Sequence, residues 1–309
     1  MEKINDVLNE ISKKIVWQKW LIRDLLVWLL TKWHVLLEWA PGLAKTLSIA
    51  TLAEVVSLNF NRIQFTPDLL PSDLIWNKIY HPDLKEFSIK KWPIFSNLIL
   101  ADEINRAPSK VQSALLEAMA EKQVTIWDET FSLDNQFMVL ATQNPLEQDW
   151  TYSLPEAQLD RFLIKTIISY PTESEELEIM KQYSDDASIK LSKILKKSDL
   201  VKLQNEVLNI HVDDNIYVYV KDLIFTSRND SEIKNILSYW ASPRASIALI
   251  KTSKAIAFLN WRDFVLPEDV KEMIKPVLRH RIILNYEAIA DWITADMVID
   301  KIIAKVKIK

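Results

Sequence analysis

Glycine is almost missing from this chain. Of its 309 residues only Gly42 is a glycine, where average usage near 7% would supply on the order of twenty. Glycine enters left-handed backbone without steric cost, so helix ends and tight turns here must be made by other residues. Cysteine is absent altogether. That excludes disulfides, thiolate catalysis, and zinc or iron–sulfur sites ligated by cysteine. Long apolar runs are lacking too. The greasiest stretch, Leu25 to Leu30, is bounded by Arg23, Asp24 and Lys32, far short of the ~20 residues a membrane-spanning helix needs. Met1-Glu2-Lys3-Ile4-Asn5-Asp6 is charged where a secretory leader would be apolar, and the expectation is a cytoplasmic protein. Basic residues hold no surplus either: 38 Lys and Arg stand against 42 Asp and Glu, for a net charge of −4. No global positive field recruits nucleic acid, although a local basic patch is compatible with that balance.

What is present is ordinary in bulk and unusual in one residue. Hydrophobic residues make up 49% and charged residues 26%, as in a soluble globular protein. The length suits one large domain and a smaller one. Twelve tryptophans are a clear excess. Along the chain, residues 3–31 show helical spacing. Short apolar runs at 34–38, 61–65, 97–102, 137–142 and 162–170 read as strands. A helix over 109–122 and a hairpin pairing 124–126 with 130–133 fall between the third and fourth. Strands alternating with helices predict a mainly parallel five-stranded sheet covered on both faces. Beyond Pro171 the β pattern stops. Helical spacing fills 173–184, 197–209, 213–228, 243–259, 267–279 and 293–306, which predicts an α/β domain over 1–171 and an all-helical domain over 172–309. Ser242-Pro243 suits an N-cap and first helical position, and Glu268 and Asp269 put acids in a first turn.

Five strings carry chemistry. Trp39-Ala40-Pro41-Gly42-Leu43-Ala44-Lys45-Thr46 lies between a strand and a helix. A phosphate-binding loop there needs inward backbone amides, a lysine for the β and γ phosphates, and a hydroxyl for Mg²⁺. Lys45 and Thr46 fit, while Trp39 and Ala44 break the glycine positions of G-x-x-x-x-G-K-[ST]; a lysine opening a surface helix is the plainer alternative. Leu98-Ile99-Leu100-Ala101-Asp102-Glu103 ends an apolar strand in two carboxylates. Asp102 can hold Mg²⁺ through water and Glu103 can polarise an attacking water, or the pair can merely cap the next helix. Together the two strings outweigh the plain readings. Asn144, in Ala141-Thr142-Gln143-Asn144-Pro145, offers an amide to orient the lytic water. Arg161 precedes the fifth strand; its rigid fork suits the spread charge of a transferring phosphoryl group, or it ties that strand down by a salt bridge to Asp160 or Glu156. Arg244 sits in a helix's first turn, where the dipole disfavours a cation and an anionic ligand would explain it.

These strings resemble the MoxR branch of the AAA+ ATPases. The resemblance extends through Thr66-Pro67-Asp68-Leu69-Leu70-Pro71-Ser72-Asp73, Ala101 to Pro108, Gln112 to Met119, Leu154 to Phe162, Ala241 to Ala245 and Leu284 to Ala288, and covers nearly the whole chain. It implies a P-loop AAA+ domain followed by a helical lid. It also implies that Lys45 and Thr46 are the Walker A pair, with Asp102 and Glu103 the Walker B pair. Asn144 then falls at sensor 1, Arg161 at the trans-acting arginine finger and Arg244 at sensor 2. Alanine before the lysine is the family's habit, so within the loop only Trp39 departs. The resemblance further implies ATP and Mg²⁺ as cofactors, a homo-oligomeric and usually hexameric ring, and chaperone-like remodelling of a client protein. A von Willebrand factor A domain protein is the expected partner.

Eleven tryptophans stand where the family pattern has glycine: 17, 28, 33, 39, 76, 92, 127, 150, 240, 261 and 292. Trp20 does not. Trp127 falls in a hairpin turn and Trp261 just past a helix, both positions that favour left-handed backbone. A UGA codon read as glycine by the organism but translated as tryptophan would leave this signature. If Trp39 is genuine, its bulk beside a phosphate loop makes a nucleotide-insensitive scaffold the alternative to an ATPase. A nucleic-acid-directed motor is a further alternative, disfavoured by the acidic balance.

Overall fold

The computed structural model describes residues 2–15, 19–39, 45–81, 86–91, 93–126, 129–144, 151–168, 170–183 and 189–308. Helices α1 (Glu2–Ser12) and α2 (Lys19–Thr31) precede strand β1 (Val35–Trp39); α3 (Lys45–Val55) then leads to β2 (Phe60–Gln64). A short helix α4 (Pro71–Ile75) and an antiparallel hairpin, β3 (Trp76–His81) with β4 (Glu86–Lys91), come before β5 (Leu98–Asp102). No element was expected in that stretch, because its alternation is short and interrupted by His81-Pro82. Next come α5 (Ser109–Glu121), the hairpin β6 (Gln123–Ile126) with β7 (Glu129–Ser132), β8 (Met138–Gln143), α6 (Glu156–Leu159) and β9 (Ile164–Ile168). Five of these strands form one sheet in the order β2-β5-β8-β1-β9, and every neighbouring pair is parallel. The expected α/β sheet is therefore present.

Period-two alternation decides which side chain enters which layer. Val35, Leu37, Leu98, Leu100, Met138 and Leu140 face one core together with α1, α2 and α3. Leu36, Ile99, Ala101, Val139 and Ala141 face the other, closed by α4 and α5. α5 presents Val111, Leu115, Leu116 and Met119 to that layer at helical spacing.

The C-terminal part comprises α7 (Glu173–Tyr183), α8 (Lys197–Leu208), α9 (Asp214–Asn229), α10 (Ser231–Lys234), β10 (Leu237–Tyr239), α11 (Pro243–Leu259), α12 (Pro267–Leu278), β11 (Ile283–Leu284), α13 (Tyr286–Ala290) and α14 (Ala295–Lys305). It is helical apart from the small antiparallel pair β10–β11. Ser242 caps α11 by accepting from the Arg244 amide, with Pro243 at the first helical position, as its sequence predicts. The first core continues into this region: Leu203, Val220, Leu249, Ile274 and Ile299 belong to the same buried cluster as the sheet. Among the described residues no helix is long and apolar enough to cross a membrane.

Two helix ends bear on the glycine deficit. After α11 the Trp261 amide bonds to the Phe258 carbonyl and the Arg262 amide to that of Ala257, at 3.0 Å each. After α13 Trp292 and Ile293 repeat the pattern onto Ile289 and Ala288. Both are Schellman motifs, and both put a tryptophan in the left-handed region, at φ 62° and 59°. Trp28 is different: fully buried, it packs in the core and donates from Nε1 to the Trp33 carbonyl at 3.0 Å.

Candidate functional site: two edges of one sheet

Because the strands are parallel, their C-terminal ends share one edge. Trp39, Gln64, Asp102 and Gln143 end β1, β2, β5 and β8 there. Trp39 closes β1, and Lys45 and Thr46 are the first two residues of α3, so a strand enters and a helix leaves the predicted phosphate loop. Ala40, Pro41, Gly42, Leu43 and Ala44 lie outside the described residues.

Asp102 is wholly buried. Its Oδ1 accepts from Thr142 Oγ1 at 2.7 Å, and Oδ2 accepts from Arg62 Nε at 3.1 Å. Thr142 Oγ1 in turn accepts from the Glu103 amide at 2.8 Å, so one hydroxyl on β8 sets both acids. Glu103 adopts left-handed backbone, φ 56° and ψ 51°, a costly state for a residue with a Cβ and one that clusters at functional positions. Its carboxylate accepts from Gln64 Nε2 at 2.7 Å and pairs with Arg106 at 3.3 Å. The turn behind it is anchored from α5. Buried Gln112 donates from Nε2 to the carbonyls of Ile104, Ala107 and Tyr152. Asn144 directly follows β8 and is half-buried.

The donors at this edge are hard oxygens of the kind Mg²⁺ takes. Among the described residues no group of three or more His, Asp or Glu side chains could hold a metal. A magnesium ion here would draw mainly on nucleotide phosphates and water; the Thr46 side chain lies outside the described ones, and Asp102 is shared between Thr142 and Arg62. Sequence reasoning missed Arg62, Gln64 and Thr142. Their signal was positional: each lies at or near the C-terminal end of a strand adjoining β5.

Arg161 and Arg244 lie elsewhere. Both line a cleft of about 430 Å³ with Lys32, Trp33, His34, Met119, Lys122 and Lys251. His34 immediately precedes β1 and Arg161 lies three residues before β9, so this is the opposite, N-terminal edge. Five residues at about 3.3 Å each separate the two edges by roughly 15 Å. Arg161 Nη1 donates to the Leu116 carbonyl at 2.6 Å. Among the described residues no ion pair joins it to Asp160 or Glu156. Asp160 instead accepts from Ser242 Oγ and from Arg281 Nε, each at 2.8 Å. Arg281 is 5% exposed and also donates to the carbonyls of Phe162 and Leu163. One carboxylate thus joins the segment carrying Arg161 to the cap of the helix carrying Arg244. His34 is held as the Nε2–H tautomer: Nδ1 accepts from the Val139 amide at 3.0 Å, leaving Nε2 to donate to Met119 O at 3.2 Å. Burial drives its pKa down to about 3, so it is neutral across physiological pH.

Two family models match the chain. Residues 34–164 match the family described as ATPase family associated with various cellular activities (AAA), and residues 230–302 match the AAA lid domain. The chain is 44% identical over 302 residues to Chaperone MoxR1 of Mycobacterium tuberculosis, covering 96% of this chain and 80% of that protein. It is 43% identical to the uncharacterized protein YeaC of Bacillus subtilis, over 91% of this chain and 87% of the other. The crystal structure of a candidate ATPase from Cytophaga hutchinsonii superposes with a TM-score of 0.94 at 49% identity, covering 100% of this chain and 95% of that one.

Proposed function

The chain belongs to the MoxR family of AAA+ ATPases, and from that premise we propose that it hydrolyses ATP with Mg²⁺ between adjacent copies of itself. In this reading the AAA+ domain spans 1–171 and the lid 172–309. The loop 39–46 wraps the phosphates, with Lys45 neutralising them. Thr46 and Asp102 hold Mg²⁺, which would offset phosphate charge when bound. Glu103 takes the proton of the attacking water, and Asn144 orients that water. Gln64 and Arg106 both bond to Oε2 of Glu103, which orients the carboxylate and leaves Oε1 as the oxygen to take the proton.

The observation that carries the reading is the separation of the edges. Arg161 and Arg244 share a cleft at the N-terminal edge, roughly a strand length from the acids of their own subunit. Both arginines therefore act on a neighbour's nucleotide. A subunit that offers its nucleotide to one neighbour and its arginines to another makes a heterologous contact, which forms a ring when the rotation closes; a hexameric ring is the closed form of this reading. Coupling such a ring to a client protein makes it a chaperone-like remodeller. A von Willebrand factor A domain protein as adaptor and a cytoplasmic location complete the reading.

Mixing subunits tests it. Glu103→Gln lacks the base but keeps the arginines; Arg161→Ala lacks the finger but keeps the base. Each alone should be inactive, and co-assembled rings should regain hydrolysis. Mixed rings as inactive as either variant would refute the trans assignment. The scaffold alternative rests on Trp39 at the mouth of the loop. It is separated by a nucleotide-titrated thermal shift, since ATP at 100 times its Kd should add about 2.7 kcal/mol, and no shift would favour a scaffold.

A further inference from the structure

The cleft at the N-terminal edge holds more positive charge than two arginines. We propose that Lys122 and Lys251 act with Arg161 and Arg244 as the receiving half of a triphosphate site, contacting the nucleotide carried by a second copy of this chain. The proposal rests on the trans reading above and extends it to two residues that no motif singled out.

Five cationic side chains line the cleft and no carboxylate does. Lys32, Lys122 and Lys251 are each half-buried, and among the described residues none is paired with an acid. Burial lowers the Lys122 pKa, with Lys32 and Lys251 adding to the effect, and burial lowers that of Lys251. Like charges gathered in a partly dry cleft are unfavourable, and a polyanion reverses the sign of that cost.

The two lysines are also held in place. Lys122 sits in the left-handed region at φ 52°, its amide bonded to Ala118 O at 3.0 Å and its carbonyl accepting from the Leu133 amide at 2.8 Å. Lys251 Nζ lies 4.3 Å from the centroid of the Trp33 ring, a cation–π contact that aims it without neutralising it. The plain explanation for a lysine at such a place is the negative end of a helix dipole. It covers Lys32 and Lys122, which end α2 and α5. It does not cover Lys251 in mid-helix, or Arg244 in a first turn where the dipole opposes it. Charge complementarity names the occupant: the opposite edge of an identical subunit carries the phosphate loop, Asp102 and Glu103.

Two measurements decide. The first titrates inorganic tripolyphosphate by calorimetry into the full chain carrying Lys45→Ala, which disables the subunit's own loop. One equivalent should bind. Either Lys122→Gln or Lys251→Gln should weaken it about tenfold or more, the loss expected for one charge-assisted contact, and Lys122→Arg should retain it. Absence of binding, or binding indifferent to both glutamines, overturns the proposal. The second mixes subunits. Lys122→Gln should be slow alone and regain activity when co-assembled with Glu103→Gln. If Arg161→Ala is regained on mixing while Lys122→Gln is fully active alone, or is impaired and not regained, the lysine assignment fails and the trans reading stands. If Arg161→Ala itself is not regained in rings shown to be mixed, the trans reading fails and takes this proposed occupant with it.

Discussion

The two edges of the sheet are built by different rules. At the C-terminal edge each proposed site residue either ends a strand, follows one directly or opens the next helix: Asp102 and Glu103 after an apolar run, Asn144 after another, Lys45 and Thr46 at the start of α3. At the N-terminal edge the cations come from the ends of α2 and α5, the segment before β9, and the first turn and the middle of α11. What holds them is long-range: Asp160 to Ser242 and Arg281, Arg281 to Phe162 and Leu163, Trp33 Nε1 to the Arg161 carbonyl. Chemistry that needs a fixed local backbone can be written in one motif. The face proposed to meet another subunit is assembled by packing, so changes in the lid should reach it while leaving the acid edge intact.

The largest expected effects oppose the edges directly. Arg161→Ala should lower steady-state hydrolysis by ~10³–10⁵, the range for an arginine supplied in trans, and Glu103→Gln by ~10²–10⁴ for a lost general base. Both should leave ATP affinity near normal by equilibrium titration. A large loss of affinity in Arg161→Ala would collapse the distinction, because the arginine would then serve its own subunit.

Removing Asp160 tests whether the lid positions the receiving edge. Asp160→Ala leaves Arg281 buried and unpaired, at a cost of about 3–5 kcal/mol, to be read from denaturant unfolding. Asp160→Asn should cost less. In that variant ATPase should fall while nucleotide affinity stays unchanged, and an equal fall in both would mean that the edges are not independently built.

A pH effect belongs to neither edge and serves as a control on stability. Burial raises the Asp24 pKa to about 6, against the opposing hydrogen bond from Thr166. A carboxyl raised in the folded state is protonated more easily there than in the unfolded chain. Its contribution is therefore fully present below pH ~4 and lost as pH rises through about 6. Asp24→Asn should stabilise the protein at pH 8 by on the order of 1–3 kcal/mol and do nothing at pH 4. Equal stabilisation at both pH values would exclude ionisation as the cause.

The smallest effect concerns the helix ends. Trp292 is 87% exposed and held at φ 59°, so it loses little packing and bears the left-handed penalty. Trp292→Gly should raise stability by about 1 kcal/mol, and Trp261→Gly should act in the same direction. Trp28→Gly should do the reverse by several kcal/mol, because that side chain fills the core. Destabilisation by Trp292→Gly would show that the tryptophan makes contacts of its own.

Much of the acid edge was legible because its residues are neighbours of an apolar strand, and apolar strands announce themselves. Arg62, Gln64 and Thr142 were not, since the register that brings them to Asp102 and Glu103 involves strands distant in the chain. The alternative that Arg161 bridges to Asp160 or Glu156 rested on proximity in sequence, whereas Asp160 takes its partner Arg281 from 121 residues away. Trp261 was readable as a glycine-type position because a Schellman end is local; Trp292 obeys the same rule.

Local rules, then, did not reach the β3–β4 hairpin or the β10–β11 pair. They were sufficient for the five strands of the main sheet and most of the helices, for the two acids at a strand end, for Lys45 and Thr46 at a helix start and for the cap of α11. Each depends on periodicity or on residues a few positions apart, and their energies are set within one or two turns of chain. Only the tertiary structure decided that Asp102 is shared between Arg62 and Thr142, that Arg161 and Arg244 face away from their own acids, and that Lys122 and Lys251 join them. Those facts follow from parallel strand order and from the buried clamp between Asp160 and Arg281. Parallel pairing sends every strand's end to the same edge, and no stretch of sequence states which residues will be waiting there.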